Sequence, residues 1–299
     1  MILLKHAPYA PFLSRRTRHP PGLSPLKLAD WTVQHADFAA QMAYRGSLMK
    51  EKRDVVLADD DTEAAQELLN LVLAHVEERP GFTVGAQVMR PDGVKVALDR
   101  KDPLVTVGNV VAEDFCLLRA DPRSGEYRLT AAVLCFPSRW LLSEKLGQAL
   151  TEIHAPVPDY DDRLARRVGA VFAELRVSTP LVRINWLVHA VPELHLPMGH
   201  SDKLFQLADP TGPFYLRTER QTLRRMPETG AIAFGIKTSI TPIANLTAEE
   251  ANGLARALEG LDEAAMAYRA GAHVLGNAVL ALDRVACGDP RGTPCSEKS

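Results

Sequence analysis

The sequence predicts an α+β fold, and its hydrophobic period is the reason: it changes twice along the chain. Helical spacing follows a proline-rich start, alternating and β-branched segments fill the middle, and a helical pattern returns near Thr247. At 299 residues, 46% hydrophobic and 24% charged, the chain can bury a sizeable core without staples. A formal net charge of −2 argues against a basic field for nucleic acid or acidic membranes.

Residues 1–30, rich in proline and basic side chains, read as an extended arm. Asp30 is placed to cap a helix from Trp31 onward, with Phe38, Met42 and Leu48 recurring at helical spacing. A second helix follows Asp59-Asp60-Asp61. Asp61 or Thr62 caps it, Leu68, Leu69, Leu71, Val72 and Val76 line one side, and Arg79-Pro80-Gly81 ends it. Five segments read as strands of a largely antiparallel sheet: 104–111, 127–136, 182–190, 214–224 and 231–240. Asp121-Pro122-Arg123-Ser124-Gly125 supplies turn chemistry between the first two. A helical insert follows the second strand, with one helix over 140–153, broken by Pro156 and Pro158, and another over 161–175. The last long helix begins near Thr247, with Glu249 and Glu250 in its first turn, and runs to Arg269 or beyond. The tail after Cys287 is polar and reads as loose.

This organisation divides the chain into an N-terminal arm with helices over 1–100, a core over 101–245, and a C-terminal helix with its tail over 246–299. No apolar run is long enough to span a bilayer, and the N-terminus lacks the apolar region of a signal peptide. None of the four cysteines forms a Cys-x-x-Cys pair, and Cys116 and Cys135 sit in apolar runs; this usage suits a reducing cytoplasm. Glycine-rich nucleotide fingerprints, a Walker loop, His-Glu-x-x-His and Gly-x-Ser-x-Gly are all missing. A redox role would therefore take its electrons from a partner.

Four groups of residues invite a chemical reading. His154 stands at a predicted helix end before Ala155-Pro156-Val157-Pro158, where the prolines stiffen the chain. It suits an axial metal ligand, and equally a histidine facing the negative end of the helix. His189, His195 and His200 match no metal-ligand spacing, and solvated or core histidines describe them as well. In Leu216-Arg217-Thr218-Glu219-Arg220-Gln221-Thr222 a strand would place Arg217, Glu219 and Gln221 on one face and Thr218, Arg220 and Thr222 on the other. Neither face is apolar, so the segment is either a solvated edge strand or the lining of a polar pocket. Arg183 and Asn185 alternate with Ile184, Trp186 and Val188, and fit the same polar surface.

Several blocks together resemble a known family. They are Gly22-Leu23-Ser24-Pro25-Leu26 with Asp30-Trp31; residues 111–118, including Glu113-Asp114-Phe115-Cys116; Trp140 through Lys145; and Gly147 leading to Ile153-His154-Ala155-Pro156-Val157-Pro158-Asp159-Tyr160. Arg183-Ile184-Asn185-Trp186, the block from Leu216 to Leu223, and Ile236-Lys237-Thr238 with Thr241-Pro242 complete the set. In order and spacing the chain resembles the haem-dependent oxidative N-demethylases, a family that includes the catalytic subunit of bacterial dimethylamine monooxygenase.

The resemblance implies a PAS-like antiparallel sheet, flanked by helices, that holds b-type haem. It implies O2-dependent oxidation of a small secondary amine to the shorter amine and formaldehyde. It also implies electrons from NADPH through a separate flavin and iron–sulfur reductase subunit. Under it, His154 becomes the candidate axial ligand of the haem iron, and Arg183, Arg217 and Arg220 become candidates for the haem propionates. Glu219 becomes the candidate catalytic residue, holding a substrate ammonium or relaying protons. Where the family commonly reads Ile-Arg-Thr-Tyr, this chain has Ile236-Lys237-Thr238-Ser239, which opens the identity of the substrate. The rival reading is a PAS-like module that senses through haem or a small ligand without turnover, and a scaffold without haem is a third.

Overall fold

The computed structural model describes residues 1–14, 16–17, 22–155, 162–197, 209, 211–269 and 272–288. The described strands are β1 (Ser24–Pro25), β2 (Leu57–Asp59), β3 (Thr83–Val84), β4 (Gln87–Met89), β5 (Lys95–Ala97), β6 (Asp114–Ala120), β7 (Tyr127–Val133), β8 (Leu181–His189), β9 (Tyr215–Arg225) and β10 (Ile232–Pro242). The helices are α1 (Phe38–Glu51), α2 (Arg53–Val56), α3 (Thr62–Glu77), α4 (Pro103–Val110), α5 (Leu142–Lys145), α6 (Leu150–His154), α7 (Asp162–Glu174), α8 (Ala248–Glu259), α9 (Glu263–Arg269) and α10 (Ala272–Ala286).

Seven strands form one antiparallel sheet in the order β1-β8-β9-β10-β6-β7-β2, and β3-β4-β5 form a small second sheet. Local chemistry makes its hairpins. Between β6 and β7, Asp121 Oδ1 accepts from the amides of Arg123 and Ser124, and Gly125 takes the left-handed conformation the turn needs. Between β9 and β10, the carboxylate of Glu67 on α3 accepts from the amides of Glu228 and Thr229, so a buried acid holds the turn to the helix.

The sheet has two differently covered faces. On one, Cys116, Leu118, Leu223, Ile232 and Ile236 pack with Leu142, Leu150, Phe172 and Leu175 from α5, α6 and the α7 region. On the other, Phe115, Leu117, Ala131 and Val133 meet Trp31 and the apolar sides of α1, α3 and α4. At its far end this second face carries Trp186, Val188 and Leu216 against Phe12, α8 and α10. These three clusters are the hydrophobic core. No helix among the described residues is long and apolar enough to cross a membrane.

Several expected elements fall differently. Residues 104–110 of the expected strand over 104–111 lie in helix α4: Pro103 opens it, Asp102 precedes it, and it is wedged between α3 and β7. A short, largely apolar run fits either period, so only the packing decides it. The missing strand is β6, which begins three residues after α4 ends. The helix expected over 140–153 is two short ones, because Gly147 adopts a left-handed conformation and Ala149 bridges to Arg128 of β7. Trp31 onward is not helical. Asp30 ends a 3-10 turn, and α1 starts at Phe38. The C-terminal helix breaks after Glu259 at Gly260, and α9 and α10 follow. Its start is as expected, with Thr247 and Glu250 forming a reciprocal cap. Asp61 caps α3 through the amide of Ala64 at 3.2 Å. Pro156, Pro158 and the tail from residue 289 onward lie outside the described residues.

Candidate functional site

Strand β9 runs between β8 and β10, so the edge-strand reading of its charges fails. Arg217, Thr218, Glu219, Arg220 and Thr222 are all buried, and a strand this polar at the centre of a sheet must find partners within the fold. The register shows how it does so. Arg183, Asn185 and Leu187 of β8 stand opposite Gln221, Glu219 and Arg217, while Ile236, Thr238 and Ile240 of β10 stand on their other side. Directly opposed residues share a face. Arg183, Asn185, Arg217, Glu219, Gln221 and Thr238 therefore form one polar field.

Glu219 is the centre of that field. Its Oε1 accepts from Arg217 Nε at 3.1 Å, and its Oε2 accepts from Asn185 Nδ2 at 3.3 Å and Gln221 Nε2 at 3.0 Å. Arg217 spends its other nitrogens on main chain: Nη2 donates to the Phe136 carbonyl at 2.7 Å, and Nη1 to those of Leu194 and Glu193 at 3.1 and 3.4 Å. This arginine clamps two loops to β9 and fixes the carboxylate.

His154 is the last residue of α6, as the sequence predicted. Helix α6 covers the same sheet face, since Leu150 packs in the cluster with Leu223 and Ile236, two residues from Gln221 and from Thr238. The ring's Nδ1 donates to the Leu150 carbonyl at 2.8 Å. That bond puts the proton on Nδ1 and leaves the lone pair on Nε2. Burial holds the imidazole pKa below its usual value, and the nearby positive charges of Arg183 and Lys145 act in the same direction, against the carbonyl bond. The result is a neutral imidazole with an oriented Nε2, the state in which histidine ligates iron. The donor chemistry at this position thus fits haem, with Arg183 beside it.

Arg220 is not part of this group. It points to the opposite face, where its guanidinium donates to the main-chain carbonyls of Trp31, at 3.0 Å, and Asp30. It joins a second buried polar cluster that the sequence reading did not anticipate. Lys237, fully buried, donates to Gln41 Oε1 at 2.9 Å and to the Thr238 carbonyl at 3.1 Å, with Asp37 Oδ1 at 3.5 Å. Burial lowers its pKa, partly countered by Asp37 and Glu113. Glu113 is also buried, and desolvation raises its pKa. His35 contacts Ser239 Oγ and Tyr9 Oη, both at 3.3 Å, so the serine in the Lys-Thr-Ser stretch helps anchor the N-terminal segment. Asp37 and Gln41, four residues apart around the start of α1, were the available signal for this cluster.

The remaining candidates separate. His189 ends β8, while His195 Nδ1 donates to the Cys135 carbonyl at 2.7 Å, and His200 lies outside the described residues. Among the described residues no group of three or more His, Cys, Asp and Glu is arranged to hold a metal ion. Cys116 and Cys135 are free and buried, as expected, whereas Cys287 is disulfide-bonded, which departs from the reducing usage that the cysteine spacing suggested. A family model described as haem-dependent oxidative N-demethylase, alpha subunit-like, matches residues 22–280 of the chain.

Proposed function

We propose, from the premise that this chain belongs to the haem-dependent oxidative N-demethylase alpha-subunit-like family, that it is the haem-holding, oxygen-using subunit of a monooxygenase that demethylates a small secondary amine. One observation carries the reading: a neutral, oriented imidazole at His154 covers the sheet face that bears Arg183 and Glu219. The sheet supports a PAS-like reading, because β8-β9-β10-β6-β7 run side by side and the helical insert falls between β7 and β8.

Haem, when bound, supplies the oxygen activation and electron transfer that no side chain here can. His154 would hold it through Nε2, with Nδ1 tied to the carbonyl of Leu150, the first residue of its own helix, which orients the ring. Arg183 offers positive charge to a propionate on the same face. Arg217 has its donors committed, so its part is to hold Glu219 in place. Glu219 is held at a fixed point, where its carboxylate would bind the ammonium of an amine and orient its methyl groups, or take up the proton that the amine must lose before oxidation. Two electrons per turnover come from a reductase subunit that draws on NADPH through flavin and an iron–sulfur centre. The working compartment is the cytoplasm.

The test is spectroscopic first. Purified protein reconstituted with haem is expected to show a Soret band that His154→Ala loses or shifts. With a reductase and dimethylamine, the wild type releases formaldehyde in step with oxygen uptake. A protein that takes up no haem overturns the proposal, as does one that binds haem but turns over no methylated amine.

A further inference from the structure

We infer that Thr238 is a specificity-determining residue, whose hydroxyl and the Glu219 carboxylate form a two-acceptor cradle selecting a secondary ammonium over a tertiary one. The inference rests on the amine-oxidising reading above and adds to it a residue and a rule.

Thr238 lies directly across the ladder from Glu219, on the same face of the sheet. Opposed residues in an antiparallel pair hold their Cβ atoms roughly 4.5–5.5 Å apart. The Thr238 side chain is 1% exposed, yet its Oγ1 has no hydrogen-bond partner among the described residues. A buried hydroxyl left unpaired costs about 1–3 kcal/mol, so its presence here calls for a group that completes it. The backbone does not let it move away. Gln41 Nε2 and Lys237 Nζ both donate to the Thr238 carbonyl, at 2.9 and 3.1 Å, and anchor the residue from the opposite face of the sheet.

Glu219 has matching capacity. A carboxylate offers about four acceptor positions. Arg217, Asn185 and Gln221 take three of them, and one remains. The two acceptors thus stand opposite each other on neighbouring strands. A secondary ammonium carries two N–H groups and satisfies both, one on Glu219 and one on Thr238 Oγ1. A tertiary ammonium carries one N–H and leaves an acceptor buried and unpaired. A site built to receive hydrogen bonds rejects a ligand lacking the donor, because the penalty falls on the site.

The experiment measures dimethylammonium and trimethylammonium binding to the haem-loaded full chain by calorimetry. Wild type is expected to prefer dimethylammonium by about tenfold or more, the scale of one hydrogen bond to a charged group. Thr238→Val and Thr238→Ala, which both lack the hydroxyl, bring the ratio close to one, and Thr238→Ser restores it. Alanine keeps the test available if the valine variant does not fold. If both hydroxyl-free variants keep the wild-type preference, or wild type shows none, the cradle is overturned while the amine-oxidising reading stands. If wild type binds neither amine, both fall.

Discussion

Arg217 bonds its sequence neighbour but one, Glu219, along the same face of β9, and the remaining guanidinium nitrogens hold the carbonyls of Phe136, Glu193 and Leu194. The pair is buried, with the arginine side chain 1% exposed. Removing one member of a buried pair leaves the other charge uncompensated and costs about 3–5 kcal/mol. Arg217→Met is therefore expected to lose stability on that scale in urea denaturation. Arg217→Lys recovers only part of it, since an ammonium cannot span three carbonyls and a carboxylate as the planar fork does.

Lys237 and Asp37 make the corresponding pair on the opposite face, both side chains being at most 2% exposed. Lys237→Met leaves Asp37 Oδ1 and Gln41 Oε1 buried without the lysine donor, and a loss of about 3–5 kcal/mol is expected. The double variant Lys237→Met with Asp37→Asn is expected to lose less than the sum of the two single losses, because neither charge is then stranded. Strict additivity in that cycle would show that the two groups do not interact.

Acid is expected to weaken the fold through two histidines. Burial is the main cause that lowers His35 and His75 from 6.5 to about 4, helped by Lys237 at His35 and by Arg79 at His75. A histidine whose pKa is depressed on folding binds its proton more readily in the unfolded chain. Its stabilising contribution is complete above pH 6.5 and is lost as pH falls towards 4. The midpoint of thermal unfolding should drop across that window. In His35→Gln the drop should be shallower, as read from melting curves at half-unit pH steps. A variant whose slope matches wild type would remove His35 from this account.

The polar face of the site was legible because strand alternation is strict. Arg183, Asn185, Arg217, Glu219 and Gln221 fall on one side by counting in twos, and register then only has to align them. His154 was legible as a helix end because two prolines follow it, although Ala155, the residue before the first of them, keeps the helical conformation. Two things were hidden for physical reasons. Residues 104–110 are largely apolar, with valines spread round the helix, so neither period shows, and Gly108 at the contact with Met49 and Val133 reveals its purpose only in three dimensions. A Cβ there would lie 2.6 Å from Met49 Sδ and 2.9 Å from Val133 Cγ2, which explains why a helix can lie so close to β7. The partition of Arg217 from Arg220 was also hidden in part. Alternation separates them, but only the tertiary structure tells which of the two faces His154.

That partition makes a final prediction. Arg183 stands on the face covered by α6 and acts electrostatically on His154, while Arg220 stands on the other and holds the carbonyls of Asp30 and Trp31. Losing a charge-assisted contact to a propionate weakens holding by about 1.5–3 kcal/mol, or roughly ten- to a hundredfold. Arg183→Gln is thus expected to speed haem transfer to an apoprotein acceptor by about tenfold or more. Arg220→Gln is expected to free the segment around Trp31 and lower stability, yet leave the transfer rate close to wild type. The two effects arise from arginines one strand position out of register, Arg183 lying opposite Gln221, the residue next to Arg220. If Arg220→Gln instead releases haem as fast as Arg183→Gln, the propionates lie on the arm-covered face and His154 is not what grips the iron.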